Sequence, residues 1–124
     1  MALTNAGRDE IAAALIGEGI PFNNSNAKIG VGDGDTAFAA TQTDLTGTNK
    51  FRKDMDTGYP IRDGNTITFR ATFGGDEANF AWKEWGVFNA ASGGVMLNRV
   101  VDNNGTKLQG QTWTFTVTIT INAS

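Results

Sequence analysis

The sequence predicts a mainly β protein, an antiparallel β-sandwich or small barrel with one N-terminal α-helix. Three observations carry that prediction. In WTFTVTITI, Trp113, Phe115, Val117, Ile119 and Ile121 alternate with an unbroken row of threonines at 114, 116, 118 and 120, the two-residue period of a strand with one buried face. In TITFRATF, Ile67, Phe69, Ala71 and Phe73 alternate in the same way with Thr66, Thr68, Arg70 and Thr72. Near the N-terminus, Ala12, Ala13, Ala14 and Leu15 favour helix and are followed by Gly17, Gly19 and Pro21, which stop it.

The elements are justified in order. Thr4 or Asn5 can cap the helix, expected over about 4–17, and Asp9 and Glu10 sit near its positive end. Leu3, Ile11, Leu15 and Ile16 are spaced to share one face, so the helix should dock on something larger. Lys28 to Val31 reads as a short strand ended by a glycine-aspartate cluster. In KFRKDMD, Phe51, Lys53 and Met55 fall on one side and Arg52 and Asp54 on the other, as in an edge or half-exposed strand. NFAWKEWGVFNA and VMLNRVVD, separated by the turn signal ASGG, read as neighbouring antiparallel strands. Phe80 and Trp82 would share one face of the first, Trp85 and Val87 the other. Either both faces are covered or a bulge near Glu84 and Gly86 resets the register. Five or six strands with short connections make one expected domain over 1–124, its β part at about 27–122, with nothing expected after the last strand.

Composition removes several chemistries. The 124 residues contain neither Cys nor His, so disulfides, thiolate metal sites, cysteine nucleophiles, Ser-His-Asp catalysis and His-ligated zinc are all closed off. A formal net charge of −3 gives little grip on nucleic acid or anionic lipid. The apolar run from Ile11 to Ile16 is too short for a signal-peptide core or a membrane span. The expectation is a protein made and folded in cytoplasm, with no nucleic-acid or membrane partner.

IGVGDGDTAF, from Ile29 to Phe38, is the stretch that most resembles a ligand loop. It lacks the terminal Lys-Ser/Thr of a phosphate loop and the glycine spacing of a dinucleotide fingerprint. Asp33 and Asp35 are two hard oxygen ligands, without the third carboxylate or distal Glu of a calcium loop. The favoured reading is structural, with Gly30, Gly32 and Gly34 supplying positive-φ turns and Asp33 bonding nearby backbone. The carboxylate pairs Asp54 with Asp56 and Asp76 with Glu77 could act as acid and base, but their surroundings favour solvated loop charges. Glu84, set in an apolar strand between Trp82 and Trp85, needs a partner such as Arg99 or Arg70 if buried. A structural ion pair is favoured over a catalytic carboxylate. Trp82, Trp85 and Trp113 could make a stacking platform for sugars or bases, yet Trp82 and Trp113 alternate as core residues do. Lys50, Arg52 and Lys53, offset by Asp54 and Asp56, read as a solvated face.

Taken in order, LTNAGRDEIAAALIG, FNNSNAKIGVGDGDTAF, TQTDL, TNKFRKDMDTGYP, TITFRATFGGDEANFAWKEWGVFNAASGGVMLNR and the threonine-alternating last strand resemble a family of small tailed-bacteriophage virion proteins. The segment around Glu84, Gly86, Val87 and Phe88, followed by Gly93 and Gly94, also resembles a motif of phage tail-fibre and collar proteins. The resemblance implies a virion structural protein, not an enzyme, with no catalytic residue, metal or cofactor. It implies a homo-oligomer assembled in the host cytoplasm whose partner is a phage major capsid protein or tail protein. Shell decoration is the preferred reading and a tail-side structural or adhesion module the alternative; a carbohydrate-binding domain is the remote one. Trp85, Phe22 and Phe38 fall outside the cleanest core alternations and are the candidate protein-contact residues.

Overall fold

The computed structural model describes residues 3–122; the outermost residues of the expected 1–124 domain lie outside that range. Two antiparallel sheets and one helix form a small β-sandwich. The helix α1 spans Asn5–Leu15 and the strands are β1 (Lys28–Gly32), β2 (Lys50–Asp54), β3 (Ile61–Asp63), β4 (Thr66–Phe73), β5 (Glu84–Phe88), β6 (Val100–Val101) and β7 (Trp113–Thr120). One sheet has the order β2-β1-β5-β6 and the other β3-β4-β7.

The two strongest sequence patterns pair with each other. β4 and β7 run antiparallel with Ile67 opposite Ile119, Phe69 opposite Val117 and Phe73 opposite Trp113, so both apolar rows face inward together. They meet Ile29 and Val31 of β1 and Val87 of β5 in one buried cluster. An edge-to-face aromatic chain continues it, with Trp82 lying 4.7 Å from Phe73 and 4.9 Å from Trp113 between ring centroids. β2 is the expected edge strand, and its Phe51 packs on Phe73 at 6.2 Å. β3 was not among the expected strands. Its signal is the RDGNT stretch, where Gly64 at φ +59° opens a two-residue turn that pairs Asp63 with Thr66.

Several expectations are corrected. Thr4 caps α1 as expected, its Oγ1 accepting from the Gly7 N–H at 2.8 Å, but Asp9 and Glu10 lie beyond the first turn. The helix docks through Gly7, whose position would bring a Cβ to 2.2 Å from the Leu97 carbonyl oxygen. Ile11 and Leu3 pack on the core, whereas Leu15 and Ile16 are 84% and 73% exposed. The shared-face reading therefore fails at the C-terminal end: Leu15 continues the side of the helix that carries Gly7 and Ile11 but borders an open groove instead of meeting the sheet, and Ile16 is the C-cap, past the last helical residue.

The segment around the two tryptophans is also rearranged. Residues 79–83 are not strand, and alternation begins only at Glu84. Trp82 and Trp85, expected on opposite faces, both stack on Phe115, at 5.6 and 5.9 Å. Both faces of β5 are covered, with Val87 in the main core and Phe88 in a second cluster with Leu45 and Met96. A bulge exists as well, on the returning strand. Trp85 pairs with Val100 but Phe88 with Met96, so the return carries one extra residue between those points. Asn98 sits there, its Oδ1 accepting from the Val87 N–H at 3.1 Å.

Candidate functional site

The buried carboxylate of Glu84 is the centre from which the site is built. It lies on the face of β5 directed away from the main core, beneath the chain that runs from Gly34 to Asn49. Glu84 and Arg99 are both fully buried, at 0% exposure, and the Arg99 Nε donates to Glu84 Oε1 at 2.8 Å. Oε1 also accepts the Thr46 N–H at 2.9 Å, and Oε2 accepts the Gly47 and Gly34 N–H groups at 2.7 and 3.0 Å. Arg99 spends its other nitrogens on the Gln42 Oε1 and the Thr46 Oγ1, each at 3.1 Å. Every strong acceptor direction of the carboxylate is engaged, which is the condition under which a buried charge is tolerated.

The glycine-aspartate stretch exists to make room for this arrangement. Gly30, Gly32 and Gly34 do not have positive φ, contrary to the turn expectation. A Cβ on Gly32 would stand 2.5 Å from Glu84 Oε2, and one on Gly34 would stand 2.2 Å from Thr46 Oγ1. A Cβ on Gly30 would meet the Phe88 ring at 2.6 Å. Close approach, not turn geometry, requires the glycines. Asp33 then pins the two loop ends together by accepting the Asn49 N–H at 3.1 Å and the Asn49 side-chain amide at 2.8 Å. That amide bond holds its carboxyl below the ordinary aspartate range. Asp35 is exposed. Among the described residues no three acidic side chains converge on one point.

The other candidate carboxylates are separated from one another. Asp54 pairs with Lys28 at 2.9 Å, while Asp56 pairs with Arg70 at 2.8 Å and accepts from Thr72 Oγ1 at 2.9 Å. Arg70, the alternative partner for Glu84, is committed there and stacks over the Tyr59 ring at 4.2 Å. Asp76 accepts from Gln109, whereas Glu77 takes the Lys53 ammonium at 2.8 Å and the Gly74 N–H at 2.7 Å. The Lys53 bond, with the Gly74 N–H, holds the Glu77 carboxyl below its ordinary range. Neither expected pair faces a common substrate position.

The basic cluster is corrected in part. Arg52 lies over the Phe88 ring at 3.6 Å, donates to the Ala90 and Gly93 carbonyls at 2.8 and 2.9 Å, and reaches Asp44 at 3.5 Å. It is a packed cation, not a solvated one. With Asp44, Lys50 and Ser92 it lines an open cleft of about 380 Å³. Lys107, which sequence reasoning missed, is fully buried and donates to the Gly74 carbonyl and, at 2.8 Å, to Asn79 Oδ1. An isolated Lys between Thr106 and Leu108, outside any alternating stretch, gave no signal of burial.

Of the tryptophans, Trp82 is 1% exposed and donates its ring N–H to the Ala78 carbonyl at 2.9 Å, so it is core. Trp85, Phe22 and Phe38 are each half-buried, and Trp85 and Phe22 pack against the main cluster. The large exposed apolar side chains lie elsewhere, at Leu15, Ile16 and Ile20 beside α1 and at Ile61, Val101, Leu108 and Ile121. Leu15, Ile20 and Ile121 rim a groove of about 500 Å³ between α1 and the inner ends of β4 and β7. No helix among the described residues is long and apolar enough to cross a membrane. Comparison of the chain with protein-family models, with curated proteins and with solved structures finds no match in any of the three.

Proposed function

We propose that the chain is a bacteriophage virion structural protein, an accessory or decoration subunit that binds the assembled capsid surface through protein–protein contacts. The observation that carries this reading is the contrast between a closed polar centre and an open apolar rim. Glu84, the residue with most promise for chemistry, has its oxygens committed to Arg99 and three backbone N–H groups. Leu15, Ile16 and Ile20 stand 84%, 73% and 53% exposed around one end of the helix. Exposed aliphatic clusters of this kind suit contact with another protein surface. Trp85, Phe22 and Phe38 have spent part of their area inside the subunit, so Leu15, Ile16 and Ile20 extend the set of contact residues.

The resemblance to small phage virion proteins is the second support. Its most specific residues are those on which this fold is built: Glu84 ties the loops, and Gly86 admits the Asn98 carbonyl, which a Cβ would meet at 2.5 Å. The tail-fibre and collar likeness of that same stretch favours a tail-side subunit as the second reading.

Fractionated heads and tails of the phage that encodes the chain, analysed by mass spectrometry, test both. The decoration reading expects the chain on heads in many copies, and Leu15→Asp/Ile16→Asp to weaken its retention there. Recovery on tails alone would transfer the assignment to the tail. Absence from both fractions would sink the virion reading.

A further inference from the structure

The two sheets have four lateral edges, and three of them carry devices that discourage strand pairing. β2 is charged at Lys50, Arg52, Lys53 and Asp54, β6 is two residues long, and β3 is three residues long with Arg62 and Asp63 on it. β7 has none of these. It is eight residues long, sits at the edge of its sheet, and the chain from Leu108 to Asn122 contains no charged residue and no proline.

The direction in which its free backbone groups point can be worked out. The Ile121 N–H donates to the Asn65 carbonyl at 2.8 Å, which makes Asn65 and Ile121 a hydrogen-bonded pair. With a period of two, Trp113, Phe115, Val117 and Ile119 turn their backbone groups toward β4, and Thr114, Thr116, Thr118 and Thr120 turn theirs away. Arg70, opposite Thr116, agrees: its carbonyl accepts the Asp56 N–H on the far side of β4. Outside the β4–β7 ladder, no backbone hydrogen bond reaches these four threonines among the described residues. Their side chains are exposed as well.

We propose that the outer edge of β7 is a strand-pairing site whose occupant is the same edge of a second copy of this chain, antiparallel across a two-fold axis. Two three-stranded sheets would become one of six strands. A two-fold through Val117 sets Thr116 against the partner's Thr118 and Thr114 against its Thr120, so that every outward N–H and C=O finds a partner in about eight hydrogen bonds. Charge favours a self-partner here, because an uncharged strand opposes no like charges when paired with itself. Threonine would again stand opposite threonine, as Thr66 meets Thr120 and Thr72 meets Thr114 with 3.3 Å between hydroxyl oxygens, but at the wider spacing of hydrogen-bonded pairs. On the inner face, Phe115 would lie beside the partner's Ile119. Phe115 and Trp113 are left half-exposed at this edge, and a second copy would cover them. The inference stands independently of the virion reading.

The test is sedimentation equilibrium of the full chain over a concentration series, with hydrogen exchange read at the same concentrations. A dimer is expected, with the Thr116 and Thr118 amides protected in proportion to dimer. Thr118→Pro removes an outward N–H without breaking the β4 ladder, and Thr118→Lys places two like charges near the axis. Each folded variant, checked by circular dichroism, should raise the dimer dissociation constant at least about tenfold. Thr118→Lys serves if the proline variant fails to fold. A monomer at all concentrations with freely exchanging threonine amides would overturn the proposal, as would a dimer that survives in a folded variant. Protection gained only with a different protein bound would overturn self-pairing too.

Discussion

Replacing Glu84 by Gln keeps the size of the side chain and removes its charge. The neutral amide leaves Arg99 fully buried with no counter-charge. It also turns an NH2 group toward N–H donors, either those of Gly34 and Gly47 at 3.0 and 2.7 Å or those of Thr46 and Arg99 at 2.9 and 2.8 Å. Breaking one side of a buried pair costs about 3–5 kcal/mol, and the one remaining oxygen still accepts, so the expected loss is near the lower end, about 3 kcal/mol. Against a total of about 5–15 kcal/mol that is a large share. With a urea slope of about 1–3 kcal/mol per molar, the unfolding midpoint should fall by about 1–3 M. A second readout is local. The Gly34, Thr46 and Gly47 amides should exchange faster in Glu84→Gln than in the parent, relative to core amides of β4. Replacing both partners, as Glu84→Leu with Arg99→Met, should recover part of the loss, because the orphaned cation is gone while the three N–H groups remain unpaired. A midpoint equal to that of the parent, or unchanged exchange at the three amides, would refute the view that Glu84 ties these loops to the sheet.

Other perturbations probe other parts of the fold. Ile119→Ala should cost about 2–5 kcal/mol by urea unfolding because the side chain is fully buried, and half-exposed Phe115→Ala should cost less; the reverse order would mean the inward face of β7 is misjudged. Gly34→Ala forces a methyl group against Thr46 Oγ1, and overpacking of about 1–3 kcal/mol should appear as a lower melting temperature; an unchanged one would show that the loop can move. Glu77 has its folded-state pKa depressed, chiefly by the Lys53 hydrogen bond, so its contribution is complete above the unfolded value and lost as pH falls through the folded one. The parent should therefore melt above Glu77→Gln at pH 7, and the gap should close as pH drops below about 4; a gap independent of pH would exclude an ionic origin. Asp33→Ala should lose the Asn49 bonds without any calcium effect, whereas a calcium-dependent melting shift in the parent that vanishes in the variant would restore the ion-loop reading.

The periodic part of this protein was legible in the sequence because a strand with one buried face writes its period into neighbouring residues. β4, β7 and the edge strand β2 follow from that alone, and a helix cap at Thr4 or Asn5 and Glu84 as a carboxylate in need of Arg99 or Arg70 follow from local chemistry, with the structure choosing Thr4 and Arg99. Tertiary structure decided the rest, because the partners lie far apart along the chain. The acceptors' donors on Gly34, Thr46 and Gly47 are 50, 38 and 37 residues from Glu84, and only their convergence explains why the positions at 32 and 34 must be glycine. Leu15 and Ile16 carry the same apolar spacing as buried residues would, yet Leu15 borders an open groove and Ile16 lies past the helix end, so both stay exposed. Trp82 and Trp85 sit three apart in an apparent strand, and the chain straightens only at Glu84, so both reach Phe115. Alternation reports which side of a strand is buried; which strand lies beside it, or whether none does, is settled by the packing of the two sheets, and that leaves the outer edge of β7 without a neighbouring strand among the described residues.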